Sequence, residues 1–469
     1  MSTTTNTSAR TPASPPTERP KPAEPRGYHF PRFAQRRLAN GLRLVVAPVT
    51  KLPLVTAVAL VEAGATQEPE GKEGVATLTA QMLLEGAAGL DGAALADRFE
   101  RIGASVEAYA DWDVAAVTLS AMSTRLPEAL ALVRDLLRAP TFPEREVARL
   151  RDERLAELLQ QLAEPRGLAD EQFSHAVYEP RARYSMPNDG EAHTVRTITG
   201  DDVRAFYAAR YQPSAITLVF AGDVTMDQVV ALAESLFGDW TGEPTSDRRA
   251  ASDAAQPGRL LRVVAKSDAP QSEVRVGHVG LPRRTPDYFG VVVMNAVLGG
   301  LFSSRINLNL RETHGYTYGA FSAFDWRRGA GPFVVNTAVK SDVTGDAVRE
   351  ILGEIERIQR EEISEEELTL ATSYLDGVFP IRYETTGAIA GALASLIIHG
   401  LPEDYYDRYR DQVRSVTTAD VLRAAREHLH PDRLRVVVVG DPAVVTAPLS
   451  DVMGVPPDVV AAADVEAEA

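Results

Sequence analysis

Apolar and polar positions along the chain follow two periods. NGLRLVVAP (40–48) and VTAVALVEAG (55–64) read as strands, the first opened by an Asn-Gly turn. In EGVATLTAQMLLEG (73–86), Val75, Leu78, Met82 and Leu83 fall on one helical stripe, which Gly86 is expected to close. LPEALALVRDLLR (126–138) and EREVARLRDERLAELLQQ (144–161) read as amphipathic helices. Further on, SEVRVGHVG (272–280) and GPFVVNTAV (331–339) read as strands, and DYFGVVVMNAVLGG (287–300) as a helix ending in Gly-Gly. Strands and helices mix without strict βαβ alternation, which favours α+β over a doubly wound sheet.

The pattern repeats itself. RTITGDDVRAFYAARYQPSAITLVFAGD (196–223) aligns without a gap with RSVTTADVLRAAREHLHPDRLRVVVVGD (414–441), at an offset of 218. Thr199 meets Thr417, Asp202 meets Asp420, Pro213 meets Pro431, and Gly222-Asp223 meets Gly440-Asp441. Each copy reads as a Thr N-cap, a helix, a Pro turn and an apolar strand ended by Gly-Asp. FPEREV (142–147) matches ISEEEL (363–368) at 221, so a small indel lies between. The chain therefore reads as a duplicated α+β domain, each copy a β-sheet packed with helices.

Composition sets limits. The 469 residues carry 49 Lys+Arg and 65 Asp+Glu, a net charge of −16, and no cysteine. That excludes disulfides, a Cys nucleophile and thiolate metal sites, and it disfavours nucleic acid as a partner. Residues 1–26, rich in Pro, Ser and Thr without an apolar core, read as a disordered tail rather than a secretory signal. The longest apolar candidate, GAIAGALASLII (387–398), is too short to span a bilayer and reads as a buried helix, so no membrane partner and a cytoplasmic location are expected. The expected domains are 27–240 and 260–450, with a polar linker at 241–259 and a tail at 451–469 whose ADVEAEA end is frayed.

Local motifs for chemistry are few. Of the eight histidines, only His428 and His430 are close in sequence, and nothing nearby supplies a third ligand. Imidazoles favoured by the negative end of a helix explain them. A dispersed Ser/His/Asp triad stays open, but no Gly-x-Ser-x-Gly context appears, nor a phosphate-binding loop.

NGLRLVV, VEAGATQEP, GVATLTAQMLLEGA, NAVLGGLFSSRINLNLRETHGYTYGAFSAF (295–324) and ETTGAIAGALASLIIHGLPEDYYDRY (384–409) occur here in register. In this order they resemble the pitrilysin/insulinase family of zinc metallopeptidases, including the mitochondrial processing peptidase subunits, over about residues 35–445. The resemblance implies two homologous domains enclosing a chamber. Active members carry His-x-x-Glu-His on the first-half helix, two ligands and a general base on one face. Thr77, Ala80 and Gln81 stand there instead, so no metal is expected in this chain. The family's third ligand falls at Glu157, 77 residues beyond Ala80, which is either a remnant or a solvated helix residue. Arg311 and Tyr318 match the family's Arg and Tyr that hold substrate and donate to the oxyanion, although LRETHGYTY also reads as an ordinary helix end and strand. The mitochondrial alpha subunit's glycine-rich loop has no counterpart beyond Gly299-Gly300. The resemblance implies a non-catalytic subunit that binds unfolded peptides and supplies Arg311 and Tyr318 in trans to a homologous zinc-bearing partner. The alternatives are a scaffold like the bc1 core subunits and, disfavoured by the missing ligands, a peptidase with a site of its own.

Overall fold

Two six-stranded sheets, one from each half of the chain, frame the molecule. The computed structural model describes residues 27–244, 252–255 and 257–462. The expected tail at 1–26, most of the linker and the ADVEAEA end lie outside the described residues.

In the first half, β1 (Ala34–Arg37), β2 (Arg43–Pro48) and β3 (Leu54–Val61) lead into α1 (Val75–Met82). The short strands β4 (Gly86–Ala87) and β5 (Leu90–Asp91) precede α2 (Gly92–Arg101), β6 (Ser105–Ala110) and β7 (Ala115–Met122). Then come α3 (Leu126–Arg138), α4 (Glu144–Ala163), α5 (Pro165–Val177), α6 (Ala192–Val195), α7 (Gly200–Arg210), β8 (Ile216–Gly222) and α8 (Met226–Phe237).

The second half opens with β9 (Leu260–Ala265), β10 (Gln271–Val279), α9 (Tyr288–Asn295), α10 (Arg305–Asn307), β11 (Ala320–Phe324) and β12 (Pro332–Lys340). It continues through α11 (Thr344–Arg360), α12 (Glu365–Arg382), α13 (Thr386–His399), α14 (Tyr405–Arg414) and α15 (Thr418–His428). β13 (Arg435–Gly440), α16 (Pro442–Met453) and β14 (Pro457–Ala461) end it.

The sheet orders, β1-β2-β8-β3-β7-β6 and β14-β9-β13-β10-β12-β11, make the duplication visible. The parallel pair β2/β8 answers β9/β13, and only the outermost strand changes direction: β1 is antiparallel to β2, while β14 is parallel to β9. Helix α4 starts at 144 and α12 at 365, a spacing of 221; α7 at 200 and α15 at 418 give 218, so the indel lies between α13 and α15. Thr199 and Thr417 cap their helices reciprocally with Asp202 and Asp420, a motif worth about 1 kcal/mol.

Residues alternate between two cores along each strand. In the first sheet, Leu44, Val46, Ala57 and Ala59 face the half's own helices, packing with Val75, Leu136 and Val229. The opposite-facing Val45, Ala47, Val58 and Leu60 join Ile389 and Leu393 of α13, a helix of the second half. Reciprocally, Val437 packs with Phe173 and Val177, and Val439 with Leu168 and Ala169, all from α5 of the first half. Each half therefore lends a helix to the other's sheet. Arg328 fastens the seam: its guanidinium pairs with Glu62 at 2.5 and 2.7 Å, and Nε donates to the Ile398 carbonyl at 2.6 Å. Arg327 lies 3.9 Å above the Trp112 ring.

Several expectations need correction. The helix expected over 73–86 stops at Met82, because Gly86 enters a short ladder whose backbone lies where a Cβ would meet Thr141 Oγ1 at 2.4 Å. The tail expected from 451 is ordered through 462, since α16 runs to Met453 and β14 pairs with β9. Part of the linker is docked: Ala254 bridges Tyr178, and the Ala255 N–H donates to the Val177 carbonyl. GAIAGALASLII is the buried helix expected, but the longest apolar segment is Tyr288–Thr313, with mean hydropathy 1.5. That segment is long and apolar enough to cross a membrane, yet it breaks at 301–304, its 18-residue apolar window is 61% buried, and its first helix ends in a π-turn over Ala296–Gly300.

The exchanged helices predict joint unfolding. Leu393→Ala, at a position with no exposure, should cost about 2–5 kcal/mol and lower a single calorimetric transition. Two resolved transitions, only one of them shifted, would show that the halves fold separately.

Candidate functional site

The first-half helix α1 is held from its start. Glu68 Oε1 accepts from the Gly74 and Ala76 N–H groups at 2.9 Å each, capping the helix. Arg183 pairs with the same carboxylate at 2.7 Å, both side chains fully buried, and donates to the Met186, Pro187 and Asn188 carbonyls. Burial pushes the Glu68 carboxyl up to about 7, against the pull of Arg183 and the two N–H groups.

On this fixed helix Thr77 and Gln81, one turn apart, are the partly exposed positions, while Ala80 is fully buried. Thr77 Oγ1 is buried without a hydrogen-bond partner among the described residues. A hydroxyl, an amide and a methyl group do not make a zinc site, since the ion takes imidazole, thiolate or carboxylate. Glu157, on α4 packed against α1, is more than half exposed and accepts from Arg154 Nη1 at 3.1 Å. Arg154 also pairs with Asp189 at 2.5 Å.

Glu157 lines a cavity of about 620 Å³ together with Glu164, Asp170, Glu171, Asp189 and Arg166. Burial and the charges of Glu191 and Asp189 push Glu171 up to about 7, and the neighbouring His175 opposes them. Burial would lower His175 itself, but its 2.7 Å bond to Glu191 and the Glu171 charge raise it.

Tyr318 is 94% exposed on the turn before β11 and lines a second cavity of about 690 Å³, with Arg166, Asp170, Glu273, Arg275 and Phe321. Arg166 and Asp170 of α5 line both cavities. The borrowed helix thus lies between the Glu157 wall and Tyr318. Arg311 is not brought into that lining; its guanidinium stacks 4.5 Å above Phe302, with Nε 3.4 Å from Glu312.

The absence of a third ligand near His428 holds only locally. Asp287, Glu427 and His428 converge within 4.8 Å because α15 packs on α9. Arg423 already bridges the two carboxylates at 2.9 and 3.0 Å, which makes the cluster an ion-pair network. His278 Nε2 accepts from the His430 N–H, and burial holds His278 down near 4.

Arg154, Arg166, Asp170 and Glu171 went unnoticed in the sequence. Only Arg154 left a signal, as a charge on the Val147, Leu158, Leu162 stripe of α4.

Family models match residues 45–186 as insulinase (peptidase family M16) and 197–375 as peptidase M16 inactive domain. The chain is 26% identical over 432 residues to an uncharacterized zinc protease of Mycobacterium tuberculosis, covering 90% of this chain and 96% of that one. It is 23% identical over 421 residues to a probable mitochondrial-processing peptidase subunit beta of Arabidopsis thaliana, covering 86% and 77%. A crystal structure of a peptidase M16 inactive domain from Pseudomonas fluorescens superposes with a TM-score of 0.81 at 26% identity, covering 87% and 98%.

Glu171 gives this wall a pH dependence. Its carboxyl titrates near 7 when folded, against an ordinary 4.5, so its contribution is full below about pH 4.5 and lost as pH rises through 7. Glu171 should account for a loss on the order of 2–3 kcal/mol across that window, beside the loss from Glu68, which titrates there too, so Glu171→Gln, a neutral isostere, should make the loss shallower. Urea midpoints between pH 5 and 8 check this, and equal slopes for the two proteins would refute it.

Proposed function

The chain belongs to the M16 (insulinase) peptidase family, and from that premise we propose that it is the catalytically incomplete subunit of a heteromeric zinc peptidase. One observation carries the reading. The helix that presents the metal ligands in active members is kept, anchored by Glu68 and Arg183, but its ligand positions are Thr77 and Gln81. The base position is a buried Ala80. Zinc then resides in a homologous partner subunit, and this chain needs no cofactor.

Tyr318 is the group available for another chain's chemistry. Its nearly complete exposure leaves the phenol free to donate to an oxyanion developing on a peptide held by the partner. The peptide itself lies along the cavities beside α5. With Glu157 and Asp189 sharing Arg154, the remaining Glu164, Asp170 and Glu171 outnumber Arg166 in one lining and favour neutral or basic segments. Arg311, stacked on Phe302, must swing away to grip a peptide carbonyl. Its present engagement is the observation that favours the second reading, a peptide-binding scaffold of the same fold.

Kinetics on the reconstituted complex separate the two. Tyr318→Phe removes one oxyanion donor and should lower kcat by about 10²–10³ with little change in KM. Arg311→Ala should also raise KM, because the guanidinium holds the ground-state backbone too. Both variants should assemble normally on size-exclusion chromatography. Wild-type turnover in the Tyr318→Phe complex would leave the scaffold reading standing.

A further inference from the structure

Glu157, at the family's third-ligand position, already has a cation beside it. We propose that Arg154 is a resident substitute for the metal charge: its guanidinium neutralises Glu157 and bars a divalent ion from the α1–α4 pair even where imidazole ligands are supplied.

The buried face of α4 runs through Val147, Arg154, Leu158 and Leu162, so Arg154 occupies a core position. Its side chain is only 10% exposed. A buried guanidinium is tolerated only with carboxylate partners. Glu157, one turn further along α4, supplies one at 3.1 Å, and Asp189 supplies the other at 2.5 Å.

Asp189 belongs to the segment that closes over the start of α1. A Cβ added to Gly74 would come within 2.8 Å of the Asp189 carbonyl oxygen, and one added to Gly190 within 2.3 Å of the Glu73 carbonyl oxygen. Arg154 therefore bridges Glu157 to the loop seated on Glu73 and Gly74, just before α1 begins. A divalent ion bound to the Glu157 carboxylate would sit within a few ångströms of the guanidinium. Both cations would compete for the same oxygens and repel each other in a partly dry site.

The test restores ligands without touching the buried Ala80. Thr77→His with Gln81→His, both at partly exposed positions, gives two imidazoles one turn apart on the helix that packs against α4. Four full-length proteins carry this pair: with Arg154 unchanged, Arg154→Lys, Arg154→Met and Arg154→Gln. Each is loaded with zinc, gel-filtered and measured for metal content, with circular dichroism melts to confirm folding. Cobalt absorption provides an independent readout of the ligand set.

With Arg154 or Arg154→Lys, bound zinc should stay below about 0.1 per chain, and the neutral variants should hold about one. Adding Glu157→Gln to a neutral variant should remove it again. Stoichiometric zinc with Arg154 in place would overturn the proposal. Equal zinc in Arg154→Lys and the neutral variants would also overturn it, as would none in a folded neutral variant.

Discussion

Each sheet of this chain is apolar on both faces, and its second face is covered by a helix that the other half donates. Val45, Ala47, Val58 and Leu60 of the first sheet lie under α13, while Val437 and Val439 of the second lie under α5. Polar contacts cross the same seam: Arg327 lies over Trp112, and Arg328 pairs with Glu62. Because α5 has left its own sheet to cross to the other, Arg166 and Asp170 lie between the Glu157 wall and Tyr318. The shape of the candidate site is thus a consequence of core packing.

Much of this was legible in the sequence. The duplication was carried by turn and cap residues, whose geometry tolerates few substitutes: Thr199 and Thr417 as N-caps, Gly222 and Gly440 at strand ends. Strands β2 and β3 and helices α3 and α4 lie close to where the periods placed them. The helix exchange was not legible, because an apolar stripe on α5 or α13 records that it is buried and not against which sheet. The convergence of Asp287 on His428 escaped notice for the same reason: the residues are far apart in sequence and meet only through packing of α9 and α15.

The site was readable to a different depth. The expectation that Thr77, Ala80 and Gln81 stand at zinc-motif positions rests on residue identity, so it could be read directly. The surroundings of Glu157 were not readable, since its partner Arg154 also pairs with Asp189, which lies next to the 186–188 segment that Arg183 holds by three carbonyls. Tyr318 and Arg311 share a short segment yet differ in situation: one projects into a cavity, the other is stacked on Phe302. Helix α1 is capped by the buried Glu68, and Thr77, Ala80 and Gln81 along it carry neither imidazole nor carboxylate.

The central claim is that this chain carries a peptidase fold without its metal. Elemental analysis of the purified full-length chain, after incubation with excess zinc and gel filtration, tests it most directly. The account predicts zinc far below one equivalent, because Thr77, Gln81 and an Arg154-paired Glu157 offer no competent ligand set. Zinc near one per chain, lost in Glu157→Gln, would contradict it.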